Sequence, residues 1–247
     1  MVDISLFPKL VDYASLQLTD VVLEVGSGFG FLSQLLSKKC RKVLAIEKDK
    51  RIVPILREQL GNVGNVQILE GDVLKVVIPD FDKVVSIPPY QISSDLLLWL
   101  FSRRFDCAVC IFQREFANRL VASVGTEDYS WLTVFTHHYA QVDLFDPVPK
   151  YLFFPQPAVD SIIVRLIKRK PIPLCMKDAA FFRQMLRFLF ANRNKKVANA
   201  MLPFVRSALE VSELEAKKLV NALPFRDRRV RTLTPENFEE LASILAK

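Results

Sequence analysis

Three glycines, Gly26, Gly28 and Gly30, fall within five residues directly behind the apolar run Val21-Val22-Leu23-Glu24-Val25. The run reads as a buried strand and Phe31 to Lys38 as a helix, so the glycines lie where a parallel strand hands over to a helix. Glycine has no Cβ and tolerates positive φ, which permits a tight turn and exposes backbone amides at the helix start. A chain with this feature folds as an open α/β sheet and brings its backbone close to a nucleotide-like ligand. The spacing GxGxG differs from the dinucleotide fingerprint GxGxxG, whose third glycine serves packing beneath a pyrophosphate, so no bound anion is required here.

Two further strands end in acids. Lys42 to Ile46 leads into Glu47, whose carboxylate is suited to accept hydrogen bonds from both hydroxyls of a ribose. Val66 to Leu69 leads into Gly71-Asp72, where the carboxylate or neighbouring amides can reach an adenine edge. In this order and at strand ends, the three features resemble the S-adenosylmethionine site of class I methyltransferases.

A chain of 247 residues holds one α/β domain and a small appendage. Its longest apolar stretches, such as Leu96 to Phe101, fall far short of the roughly 20 residues needed to span a bilayer. The start MVDISLFPKL lacks a basic, apolar and small-residue export pattern, so a cytoplasmic location is expected. Cys107 and Cys110 form a CxxC within an apparent strand, and side chains three apart on a strand point to opposite faces. With His137 and His138 as the two imidazoles of the chain, core packing explains the cysteines better than a metal, and no metal is expected.

The net charge of +7 is unevenly placed. From Lys168 onward there are 17 basic and 8 acidic residues, whereas the first 167 residues hold 17 basic and 19 acidic. Such asymmetry favours a polyanionic partner, with nucleic acid foremost. After the proline-rich junction Lys170-Pro171-Ile172-Pro173, Phe182, Met185, Leu186, Leu189 and Phe190 give helical periodicity over Phe181 to Met201. Arg183, Arg187, Arg193, Lys195 and Lys196 are interspersed with them. Further helices are expected over Val205 to Leu209, over Ser212 to Leu223 with a Ser212/Glu215 capping box, and over Pro235 to Ala246. The expected division is residues 1–170 for the α/β domain and 171–247 for a helical, basic, RNA-contacting domain.

The fourth strand carries Val84-Val85-Ser86-Ile87-Pro88-Pro89-Tyr90-Gln91-Ile92-Ser93-Ser94, a rigid proline-aromatic corner at the sheet edge where α/β enzymes bind ligands. Gln113-Arg114-Glu115-Phe116-Ala117-Asn118-Arg119-Leu120 and Phe154-Pro155-Gln156-Pro157-Ala158-Val159-Asp160-Ser161 follow, then Phe190-Ala191-Asn192-Arg193-Asn194-Lys195-Lys196. In this order the motifs resemble the adenine N6-dimethyltransferases of small-subunit ribosomal RNA, relatives of the erythromycin-resistance methylases. The likeness runs from about Leu10 to the C-terminus. It implies a seven-stranded, Rossmann-like class I methyltransferase sheet, a final β-hairpin around Tyr139 to Leu166, and a small all-helical C-terminal domain that helps grip RNA.

The resemblance also implies roles. Leu10, Glu24, Gly26, Ser27, Gly28, Gly30, Glu47, Lys48, Asp72 and Val73 would hold S-adenosylmethionine, with Glu47 on the ribose and Asp72 on the adenine amine. Ile87, Pro88, Pro89 and Tyr90 would form the catalytic corner, Tyr90 stacking on a flipped-out base. Arg114, Arg119, Arg183, Arg187, Arg193, Lys195 and Lys196 would contact RNA. Three places depart from the family pattern. Ile87 stands where the family's NLPY motif has asparagine, so backbone carbonyls remain as acceptors for the target amine; loss of one acceptor costs on the order of 3 kcal/mol, about a hundredfold in rate. Shifting the register by one would instead bring Ser86 to that position. Phe7 to Asp12 replaces the family's Gln-x-Phe-Leu segment, and Arg193-Asn194-Lys195 its RRK stretch.

The expected protein is a monomeric enzyme that transfers methyl groups from S-adenosylmethionine to N6 of adenosines near the 3′ end of small-subunit rRNA within a pre-ribosomal particle. The alternative is a catalytically weakened or inactive RNA-binding assembly factor that keeps the fold.

Overall fold

The computed structural model describes residues 3–169 and 179–245. The junction Lys170 to Pro173, where the domain boundary was expected, lies outside the described residues. The chain forms two compact units, the first made of residues up to Ala117 together with Gln141–Lys168, the second of Asn118–Ala140 together with the chain from Arg169 onward.

The first unit is built on a seven-stranded sheet: β1 (Val21–Val25), β2 (Lys42–Glu47), β3 (Val66–Glu70), β4 (Lys83–Ser86), β5 (Cys107–Gln113), β6 (Ala140–Val148) and β7 (Ser161–Lys168), in the order β3-β2-β1-β4-β5-β7-β6. β1 pairs in parallel with β2 and β4, β2 with β3, and β4 with β5, while β7 runs antiparallel to β5. Every residue of β1 is buried, which is what a central parallel strand covered on both faces demands and why VVLEV is a continuous apolar run broken by one acid. Helices α1 (Phe7–Ala14), α2 (Phe31–Ser37), α3 (Val53–Leu60) and α4 (Ser93–Phe101) accompany the strands, and α5 (Arg114–Leu120) begins in this unit and ends in the second. α1 carries Pro8 in its first turn, stops at Ser15 in the left-handed region, and buries Phe7, Leu10, Val11 and Ala14. These join Leu32, Leu36, Val43, Val85, Val109 and Ile163 in one core.

The glycine turn has a packing role as well. Gly30 sits at φ +85°, and a Cβ there would stand 2.8 Å from Leu56 Cδ1 and 3.0 Å from Leu60 Cδ1, both on α3. The third glycine thus lets α2 start against α3.

The second unit contains α6 (Trp131–Tyr139), α7 (Ala179–Ala191), α8 (Val197–Ala208), α9 (Glu213–Ala222) and α10 (Pro235–Leu245). Its membership differs from the expected division, because the apolar helix α6 belongs with the C-terminal helices. Tyr129, just before α6, donates its hydroxyl to the Leu233 carbonyl at 2.8 Å, and its ring packs edge-on to Phe190. The single helix expected over Phe181 to Met201 is two helices, parted by a turn at Asn192–Lys196. That turn is drawn out by backbone pairing with a second segment: Val230 N–H donates to Lys195 O, Arg231 N–H to Arg193 O, and Val197 N–H to Arg228 O. The short helix expected over Val205 to Leu209 is the end of α8. The Ser212/Glu215 capping box of α9 is present as expected.

Gly30→Ala places a methyl in a left-handed position and against α3, and a loss of about 2–3 kcal/mol in unfolding free energy is expected from strain and overpacking together. Urea denaturation of wild type and variant measures it.

Candidate active site at the carboxyl ends of β1 to β4

Strand order reverses at β1, so the loops leaving β1 and β4 diverge and open a crevice between them. Gly26 and Ser27 donate their amides to Ile46 O at 2.8 and 3.1 Å, anchoring the glycine loop to β2. A cleft of about 480 Å³ lies between Glu24, Gly26, Ser27, Gly28 and Phe29 on one side and Ile87, Pro88, Pro89 and Tyr90 on the other. Phe7, Phe31 and residues Phe153 to Pro157 complete its wall. A second cavity of about 70 Å³ is lined by Glu47, Lys48, Gly71, Asp72, Val73 and Ile92, and shares Gly26 and Pro89 with the first.

The polar groups of these cavities have defined partners. Glu47 accepts Gly28 N–H at 2.9 Å through Oε2, and the amides of Lys48 and Asp49, both at 2.8 Å, through Oε1. Its carboxylate is thereby fixed at the end of β2. Gly71 N–H donates to Glu47 O at 2.8 Å, which holds the β3 loop alongside and sets Asp72 next to Lys48. Lys48 Nζ lies 2.9 Å from Asp72 Oδ2, and this hydrogen bond, with a second from Leu74 N–H, holds the Asp72 carboxyl below the usual carboxylate range. Glu24 is buried and accepts the Ser33 hydroxyl; burial pushes its pKa up to about 8, so it is protonated at neutral pH.

At the corner, Ser86 is turned into the sheet: its hydroxyl donates to Val25 O at 2.7 Å and accepts Val25 N–H at 3.3 Å. Ile87, not Ser86, lines the cleft, next to Pro88, Pro89 and Tyr90. The Ile87 carbonyl oxygen faces the glycine loop, 3.8 Å from where a Cβ on Gly26 would stand. Tyr90 opens a short 3₁₀ turn, its carbonyl bonded by Ser93 Oγ at 2.9 Å and its ring edge-on to Phe153 at 6.2 Å.

Most of the cofactor residues expected from the sequence gather here, with two corrections. Leu10 is fully buried in the core and lines neither cavity; Phe7, one turn earlier on α1, is the residue that reaches the cleft. Gly30 lies behind the loop, packed on α3, rather than in the cleft wall. Sequence reasoning missed Phe153, although the aromatic pair ahead of the Pro-Gln-Pro run marks the segment.

The basic residues assigned to RNA divide into groups. Arg114 is exposed at the start of α5, and Arg119 is half-buried near its end. In the second unit, Arg183 and Arg187 sit one turn apart on α7, with Arg187 over the Trp131 ring at 5.4 Å. Arg193 turns two guanidinium N–H groups onto the carbonyls of Thr126 and Glu127, at 2.7 and 2.8 Å, so it braces a loop. Lys195 and Lys196 are exposed, and the backbone pairing of this turn brings exposed Arg226, Arg228, Arg229 and Arg231 beside them. These four arginines were not singled out from the sequence; the dense RDRRVR run was the available signal.

A mostly parallel seven-stranded sheet with an antiparallel β7, and a glycine loop facing a proline-aromatic corner across the switch point, define a class I methyltransferase. The chain belongs to the ribosomal RNA adenine dimethylase family, whose model matches residues 1–230. It is 38% identical over 247 residues to "Probable ribosomal RNA small subunit methyltransferase A" of Methanosarcina acetivorans, covering 99% of this chain and 90% of that protein. Among solved structures it is similar to a dimethyladenosine transferase from Plasmodium falciparum, with a TM-score of 0.84, 27% identity, and 98% and 95% of the two chains covered. It is also similar to the 23S rRNA methyltransferase ErmE, with a TM-score of 0.70, 25% identity, and coverage of 99% and 98%.

The cavities fit S-adenosylmethionine. The space beside Gly28 is open, with nothing within 4 Å of where a Cβ would stand. The smaller cavity sets apolar Val73, Ile92 and Pro89 around the acid Asp72, which suits a flat base with an exocyclic amine.

Glu24 gives the site a pH signature. Its folded pKa lies above the unfolded value near 4.5, so the stability tied to its protonated form is present below pH 4.5 and is lost as pH rises toward about 8. Glu24→Gln is expected to flatten the decline in melting temperature between pH 5 and 8, as followed by circular dichroism in the absence of ligand.

Proposed function

We propose that this protein dimethylates adenosines at N6 near the 3′ end of small-subunit rRNA, acting as a monomer on a pre-ribosomal particle in the cytoplasm. The observation that carries it is the cleft between the glycine loop and the Ile87-Pro88-Pro89-Tyr90 corner, in a chain whose family is defined by this chemistry. S-adenosylmethionine, when bound, supplies an electrophilic methyl group. Glu47 and Asp72 would hold its ribose and adenine amine, and Gly26 to Gly28 its chain. No helix among the described residues is long and apolar enough to cross a membrane.

The chain's own residues must do two things for the target adenine. Tyr90 presents a ring on which an extruded base stacks, which is how an enzyme reaches an atom buried in a paired strand. The Ile87 and Pro88 carbonyls accept hydrogen bonds from the exocyclic amine, draw its lone pair out of conjugation with the ring, and align it for in-line attack. Ile87 contributes no side-chain acceptor, so this corner relies on backbone carbonyls. In the second unit, Lys195, Lys196, Arg226, Arg228, Arg229 and Arg231 offer a positive surface for phosphates.

Purified protein with labelled S-adenosylmethionine and unmodified small subunits is expected to yield N6-methylated adenine, read by chromatography of digested RNA. RNA binding without transfer would instead mark an assembly factor. Ile87→Asn restores a side-chain acceptor, and transfer is expected to rise about tenfold or more; an unchanged rate shows that the carbonyls suffice. Arg228→Glu with Arg229→Glu is expected to weaken RNA binding and to flatten the slope of log affinity against log salt, measured by filter binding at several salt concentrations.

A further inference from the structure

The Tyr90 hydroxyl lies 2.6 Å from Ser161 Oγ, and the two residues are 71 positions apart in the chain. Ser161 is the first residue of β7, fully buried, and pairs with Gln113 across the sheet. Its neighbour Asp160 is fastened twice, its carbonyl accepting Arg114 N–H and its Oδ1 accepting Lys150 N–H, both at 3.0 Å. The Ser161 hydroxyl is thus carried on backbone that is tied to β5, to α5 and to the loop bearing Phe153. Tyr90, by contrast, stands on a single 3₁₀ turn behind two prolines, with its carbonyl bonded by Ser93.

A tyrosine on such a turn retains rotation about χ1 unless its far end is held. The phenol oxygen lies on the χ2 axis, so its hydrogen bond fixes χ1 and the direction in which the ring points, while Phe153 at the ring edge sets the plane. Burial raises the pKa of the Tyr90 phenol, so it stays neutral, and either hydroxyl can donate in this bond. We propose that Ser161 is a positioning residue that fixes where the Tyr90 ring sits for stacking of the target adenine. This rests on the methyl-transfer reading of the same cleft. The serine of the FPQPAVDS segment lines neither cavity. It acts through the tyrosine, and it links the last part of the sheet to a corner built by the fourth strand.

Tyr90→Phe keeps the stacking ring and removes only the bonded oxygen, while Ser161→Ala removes the partner. Each is expected to lower kcat/KM for methylation of small subunits about tenfold, and the double variant is expected to fall about tenfold as well, not a hundredfold, because both lesions break one bond. Binding of labelled S-adenosylmethionine by equilibrium dialysis is expected to be unchanged in all three, which a general loosening of the cleft would not leave intact. Ser161→Thr, which retains the hydroxyl, is expected to recover most of the rate. A Tyr90→Phe variant with wild-type kcat/KM overturns the proposal, as does a double variant whose losses multiply. Wild-type protein that binds the donor but methylates nothing overturns the proposed function and this inference with it, and is distinguished from the other outcomes by the wild-type control alone.

Discussion

The crevice exists because β1 and β4 stop pairing early. Their backbone register covers Val22 with Lys83 and Leu23 with Val84, and beyond that the Ser86 hydroxyl takes over, bonding both the amide and the carbonyl of Val25. A side chain in place of a ladder keeps the strand ends in contact while their loops separate. The glycine loop then leans on β2 through the Ile46 carbonyl, and the proline corner leans the other way toward β7 through Tyr90. A buried polar contact of this kind carries a large penalty if half is removed, because Val25 would be left with unpaired groups in the sheet interior.

Much of this was legible in the sequence because it is local. Glycine spacing after an apolar run, acids at or just past strand ends, and a Ser/Glu pair three apart each encode a turn, a strand end or a cap within a few residues. What was not legible depends on distant partners. The helix of Phe181 to Met201 contains no glycine or proline, and its break at Asn192–Lys196 is imposed by pairing with Arg226 to Arg231. The place of α6 in the second unit had no local marker either, since a helix buried over most of its surface gives no amphipathic stripe.

The site itself shows the same division. Matching the motif puts Ile87 or Ser86 at the cleft, and it is Ile87 that lines it, because the Ser86 hydroxyl is engaged inside the sheet. Leu10 was assigned to the cofactor by resemblance, whereas its place on α1 turns it into the core and leaves Phe7 at the cleft. Gly30 belongs to the glycine cluster by sequence and to the contact between α2 and α3 by structure.

The ion pair at the smaller cavity changes how a nucleoside would be taken up. Asp72 already has the ammonium of Lys48 beside it, on a side chain that is 74% exposed and free to swing outward. An exocyclic amine arriving there would not meet a bare carboxylate; it would displace a cation that water readily receives. Recognition at this acid would then be an exchange of one donor for another, its net yield the difference between two contacts rather than the full strength of either.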